Sequence, residues 1–233
     1  MQQAQLNERR QWLFIALAGL FVTNAVTAEL ISNKLIEIPL HWKFLGKQIG
    51  PFITIIGILP WPVVFILTDL LNEFYGQKAV RRLSWITAML IAYCFIIVGI
   101  SMAIPAHEIK GSKLATNEAY NLVFGQAQAV IIGSIAAFLV SQLLDAYLFE
   151  KIKQRTGNRF IWLRSTGSTM ISQFIDSYIV LYIGFVLPGA MSLSTYFEVA
   201  PTNYLLKMLI AVILTPIIYL GHFLVRRYLN QQA

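Results

Sequence analysis

Six stretches of this chain are each as long and as apolar as the hydrocarbon core of a bilayer demands, which is roughly 20 residues. They run near Trp12–Ser32, Pro51–Asn72, Leu83–Ile104, Ala127–Phe149, Thr166–Leu187 and Leu205–Val225. Their connections are short, except between the third and fourth, so consecutive spans are expected to be neighbours in space. The expected fold is all-α: a polytopic integral membrane bundle of six transmembrane helices, with residues 1–233 forming one unit and no separate soluble domain. With 57% hydrophobic and only 12% charged residues, the chain has too few charges to cover a water-facing surface. A net charge of +7 could point to nucleic acid, but the basic residues are scattered between apolar blocks, so no nucleic-acid partner is expected. The single Cys94 excludes an intrachain disulfide and a cysteine-based metal cluster.

Orientation follows from the basic residues flanking the spans. Arg9, Arg10, Lys78, Arg81, Arg82, Lys151, Lys153, Arg155, Arg159, Arg164, Arg226 and Arg227 fall on one side. Lys34, Lys43, Lys47, Lys110, Lys113 and Lys207 fall on the other. Twelve against six places both termini in the cytoplasm. Arg9–Arg10 ahead of an apolar run, with Val26-Thr27-Ala28 behind it, has the look of a secretion signal. The segment is read here as the first span.

Several features interrupt the apolar pattern. Pro60-Trp61-Pro62 falls mid-span, and prolines remove helix donors, so either a kink or a broken helix beside a cavity is expected there. Pro216 raises the same question in the sixth span. Glu29, Asp69, Asp145 and Asp176 lie within spans, where a charge at the helix centre costs at least about 2.5–3.5 kcal/mol and faces the bundle interior. Three of the spans carry related pentapeptides: Thr68-Asp69-Leu70-Leu71-Asn72, Ser141-Gln142-Leu143-Leu144-Asp145 and Ser172-Gln173-Phe174-Ile175-Asp176. Because residues four and three apart share a helix face, each places hydroxyl, amide and carboxyl groups on one polar strip, with Glu73 a turn beyond Asp69. Two uses are open: the strips glue helices together, or they line a polar binding site. Glue is the weaker explanation, since interhelical polar contacts contribute only about 0.6 kcal/mol on average.

The chain has no Walker A, HExxH or GxSxG sequence, and His41, His107 and His222 are dispersed, so no catalytic residue, metal set or cofactor is expected. Ser32–Ile38 (SNKLIEI), Thr68–Gly76 (TDLLNEFYG), Ser141–Lys153 (SQLLDAYLFEKIK) and Trp162–Ser177 (WLRSTGSTMISQFIDS) together resemble the queuosine precursor transporters, also called vitamin-uptake-like transporters. The resemblance implies a six-helix bacterial inner-membrane importer of a 7-deazaguanine, such as 7-cyano-7-deazaguanine, by secondary or facilitated transport. It carries substrate-binding roles onto Asn33, Asp69, Asn72, Glu73, Gln142, Asp145, Gln173 and Asp176. The residue types suit such a ligand independently: carboxylates accept from N–H donors on a guanine-like edge, and amides both donate and accept. Asp176, closest to mid-span, is the expected central group, supported by Asp69 and Asp145. Proton coupling is one energy source open to buried carboxyls. The alternatives are a substrate-binding membrane subunit of an energy-coupling vitamin importer, an intramembrane enzyme, or a purely structural assembly protein. The partners expected are a purine-like small molecule and lipid, with a homodimer left open.

Overall fold

The computed structural model describes residues 2–32, 34–39, 42–44, 47–49, 52–107, 116–125, 128–157 and 159–230. Among them, six helices are long and apolar enough to cross a membrane: Ala4–Leu30, Ile56–Tyr75, Gln77–Ala103, Val130–Thr156, Ile161–Val186 and Leu193–Leu229. In chain order the elements are α1 (Gln2–Leu30), β1 (Leu35–Ile38), β2 (Trp42–Phe44), β3 (Lys47–Ile49) and β4 (Phe52–Ile55). A 3-10 turn (Ile56–Ile58) leads into α2 (Trp61–Tyr75), followed by α3 (Gln77–Ala103), α4 (Asn117–Phe124), α5 (Gln128–Thr156) and α6 (Ile161–Leu181). A π-helical turn (Tyr182–Val186) extends α6, and α7 (Leu193–Asn230) ends the bundle. The helical membrane bundle expected from the apolar pattern is the architecture. Among the described residues, β structure is confined to the first connection, where β1 pairs antiparallel with β4 and β2 with β3.

The second span departs from both readings of its prolines. Pro60 caps α2 and Pro62 sits in its first turn, where an absent N–H leaves no helix bond unmade. The helix is neither kinked nor broken there; it begins there. Its 15 residues rise about 22 Å, short of a hydrocarbon core of about 30 Å. The 3-10 turn lengthens it, and Ile56–Tyr75 together are long and apolar enough to cross. Backbone of this kind persists at membrane depth only where protein or a water-filled cavity covers it, and Thr54, Gly57 and Ile58 are indeed buried. By contrast α7 runs unbroken past both Pro201 and Pro216.

Phe21, Val64, Leu71, Ile91 and Phe138, from α1, α2, α3 and α5, form the main apolar core. On α3, Trp85, Met89, Tyr93, Ile96 and Ile100 point outward and stay exposed, as a lipid-facing surface requires. α6 packs most extensively on α5 and also on α7. Near one end of this packing, α5 meets the π-helical turn backbone to backbone. A Cβ built on Gly133 would stand 2.8 Å from the Gly184 nitrogen and 3.2 Å from its Cα. Overpacking of this sort costs about 1–3 kcal/mol, and backbone cannot swing aside as a side chain does. Gly133→Ala is therefore expected to lower the thermal midpoint of the detergent-solubilised protein by several degrees, as followed by fluorescence-detected gel filtration. An unchanged midpoint would show that the α5–α6 contact is looser than this geometry.

Candidate functional site

The three polar strips lie on α2, α5 and α6, and they meet one another. Because α5 and α6 run antiparallel, their pentapeptides bond reciprocally: Ser141 Oγ donates to Asp176 Oδ1 at 3.1 Å, and Ser172 Oγ donates to Asp145 Oδ1 at 3.2 Å. Asp145 Oδ1 also accepts from Thr169 Oγ1 at 3.2 Å. On α2, Thr68 and Gln142 approach to 3.4 Å, and Asn72 Nδ2 donates to the Ala146 carbonyl at 3.1 Å. Asp69 accepts from Ser165. Gln173 is buried on α6. Asn33 lies outside the described residues.

Glu73, at the end of α2, ties four helices together. Its carboxylate lies 2.8 Å from Arg164 of α6, 3.0 Å from Lys153 of α5 and 3.6 Å from Arg226 of α7. Lys153 also donates to the Glu73 carbonyl at 3.0 Å. Arg164 is 0% exposed, donates to the Gly157 carbonyl at 2.7 Å, and rests over the Phe149 ring. A guanidinium so completely removed from solvent requires this set of acceptors. Nearby, Arg10 of α1 donates to the Phe74 carbonyl at 2.7 Å. The N-terminal part of α1 and the C-terminal part of α7 thus gather at one basic end of the bundle.

Away from that end is a cavity of about 60 Å³. It is lined by Glu29 of α1, the adjoining Ser32, Ser134 and Ala137 of α5, Asp176 and Val180 of α6, and Asn203 and Lys207 of α7. Thr54 of β4, Ile58 and Trp61 complete the wall. Lys207 Nζ donates to Asp176 Oδ2 at 2.5 Å, and Ser134 Oγ donates to Glu29 Oε2 at 2.5 Å. Asn203 Oδ1 is buried and accepts no hydrogen bond among the described residues. One water occupies roughly 10–15 Å³ of such space, so the cavity has room for about four to six waters. Two wider depressions, of about 550 and 390 Å³, flank Arg10–Tyr75 and Tyr219–Arg226, but among the described residues neither is lined by a carboxylate. Among the described residues, no group of three or more His, Cys, Asp or Glu is placed to hold a metal.

Of the expected binding residues that are described, then, only Asp176 is placed on this cavity. Asp69, Asn72, Gln142 and Asp145 are engaged between helices, and Glu73 holds the basic end. A family model described as "Putative vitamin uptake transporter" matches residues 55–221. The chain belongs to the vitamin uptake transporter family. It is 30% identical over 166 residues to the "Probable queuosine precursor transporter" of Bacillus subtilis, covering 70% of this chain and 69% of that one. It is 27% identical over 186 residues to the "Queuosine precursor transporter" of Escherichia coli, covering 78% and 75% of the two chains. A Haemophilus influenzae protein named "Probable queuosine precursor transporter" is 23% identical over 216 residues, covering 89% and 84%. No solved structure matches significantly.

In this member of the family, sequence reasoning missed Lys207, Asn203 and Ser134 and did not count Glu29 among the binding residues. Lys207 falls in the first turn of the expected sixth span, Leu205–Val225, and so counts with the basic residues flanking the spans. The helix begins at Leu193, which places Lys207 well inside it. A charged residue inside the longest apolar helix was the available signal. Glu29 carried the same one, an acidic residue in an apolar span.

Proposed function

We propose that this transporter imports a queuosine precursor of the 7-deazaguanine type, such as 7-cyano-7-deazaguanine, across the bacterial inner membrane, as one six-span unit without a catalytic step. The observation that carries this reading is the polar cavity inside the bundle, where carboxylate, ammonium, amide and hydroxyl groups converge beside Trp61. Few convergent polar groups in an otherwise apolar setting is the usual make-up of a small-molecule site. The names of the three relatives supply the substrate class. Direct substrate contact is assigned to Asp176. Asp69, Asn72, Glu73, Gln142 and Asp145 are assigned to holding the helices that carry it. The excess of Lys and Arg at the basic end supports a cytoplasmic position for it.

The test is uptake of 7-cyano-7-deazaguanine into proteoliposomes that contain this protein alone. Saturable entry above protein-free vesicles is the expected result, with no ATPase partner supplied. Entry only when an ATPase pair is added would make the chain a binding subunit instead. No entry for any 7-deazaguanine would remove the import reading. An imposed pH gradient separates proton-coupled from facilitated transport.

A further inference from the structure

Building on the import reading, we propose that the Lys207–Asp176 ion pair is itself the recognition element, opening to take a neutral planar heterocycle by an edge that presents a carbonyl beside N–H donors. Lys207 donates to the carbonyl, Asp176 accepts from the adjacent ring N–H, and Asn203 Oδ1 accepts from an exocyclic amine.

Three observations lead there. The ammonium and carboxylate touch at 2.5 Å across the cavity from α7 and α6, with 13% and 9% of their side-chain surface exposed. Separating such a pair in a low-dielectric interior is costly unless each partner receives a replacement at once. A ligand with an acceptor and a donor on neighbouring atoms provides both replacements. The second observation is the charge inventory. Among the described residues, the cavity holds two carboxyl groups, Glu29 and Asp176, against one ammonium. An anionic ligand would satisfy Lys207 and strand Asp176 beside further negative charge. A bare cation would do the reverse. A neutral dipolar edge leaves neither group unpaired.

The third is Asn203. It precedes Lys207 by four residues on α7, so the two share a face, and its Oδ1 accepts no bond among the described residues although it is buried against the cavity. A buried acceptor left empty is unfavourable, and a second ligand donor would fill it. Guanine-type edges provide this acceptor–donor–donor series. Adenine-type edges offer one donor and one acceptor only, which can bridge the ion pair but leave Asn203 unmatched.

The same comparison explains why the reciprocal aspartates differ. Asp145 is enclosed by hydroxyls of Thr169 and Ser172. Asp176 exchanges that enclosure for Lys207 and a face on the cavity.

The experiment is equilibrium binding to the purified wild-type protein of 7-deazaguanine, 7-deazaadenine and the planar anion nicotinate. Expected is saturable binding of 7-deazaguanine, roughly tenfold or greater weakening for 7-deazaadenine, and no competition by nicotinate. Lys207→Met and Asn203→Leu should each weaken 7-deazaguanine binding by about tenfold or more. Nicotinate competing as an equal, 7-deazaadenine matching 7-deazaguanine, or a folded Lys207→Met that binds normally would each overturn this inference while leaving the import reading intact. If neither deazapurine binds, both fall. The ligand panel needs no variant, so a misfolded Lys207→Met does not shelter the proposal.

Discussion

Glu73→Gln should produce the largest loss of stability of any single substitution in this bundle. The amide keeps the shape of the carboxylate and removes its charge, so that Arg164, fully buried, loses the one carboxylate within ion-pair distance of it among the described residues. Breaking a buried ion pair from one side costs about 3–5 kcal/mol. For a chain of this size each kcal/mol moves the thermal midpoint by roughly 2–4 °C, so a drop on the order of 10 °C is expected. Lys153 and Arg226 are affected less, because 26% and 47% of their side-chain surface is exposed and water can solvate them. Exchanging both central partners, in Glu73→Leu with Arg164→Met, should recover part of the loss, since an apolar pair replaces a buried ion pair at little cost. Thermal unfolding of wild type, Glu73→Gln and the double variant in one detergent makes the comparison. A Glu73→Gln midpoint within two or three degrees of wild type, well under the roughly 10 °C expected, would mean that the ion cluster is not what fastens these four helix ends.

Asp176→Asn should have the largest effect on transport while leaving the fold standing. Asp176 accepts from Ser141 on Oδ1 and from Lys207 on Oδ2; the amide oxygen can keep the Lys207 bond, while the Ser141 hydroxyl turns to accept from the amide N–H. The charge is lost, however, and with it a charge-assisted bond to substrate of about 1.5–3 kcal/mol. Uptake at low substrate concentration is therefore expected to fall roughly 10- to 150-fold, through KM more than through the amount of folded protein. Asp145→Asn is the informative control, because it removes the equivalent carboxylate of the reciprocal pair from a place that does not line the cavity. Its expected signature is lower stability with KM preserved. Equal losses of uptake in the two variants, with unchanged KM in both, would contradict the assignment of Asp176 to the substrate.

The repeated pentapeptides were legible as polar strips from helical spacing alone, and their polarity correctly marked buried helix faces. What spacing could not reveal is partnership. An antiparallel crossing of α5 and α6 sets Ser141 against Asp176 and Ser172 against Asp145, so much of the polarity is consumed between helices instead of being turned toward a shared void. Helix ends were less legible. α3 begins at Gln77, six residues before the expected Leu83 and directly after Gly76 with φ 81°, a backbone conformation that suits glycine. The first twelve residues of α7 carry Ser, Thr, Glu and Pro and so did not register as part of a span, which concealed Lys207. The ribbons were invisible for a different reason: strands of three or four residues contain too few alternations to show a period of two.

The unequal construction of the two ends of the bundle has a mechanical consequence. At the Glu73 end, separation means pulling several charges away from a single carboxylate. At the other end, Thr54 and Ile58 belong to a strand and turn held by the register from Leu35 opposite Ile55 to Ile38 opposite Phe52. Peeling one short strand disturbs a handful of amide bonds, whereas dislodging a full helix would unseat an entire packed face. Of the two ends, the cavity therefore yields first along the ribbon, like a stiff box with one soft panel, and amide hydrogen exchange should be fastest there.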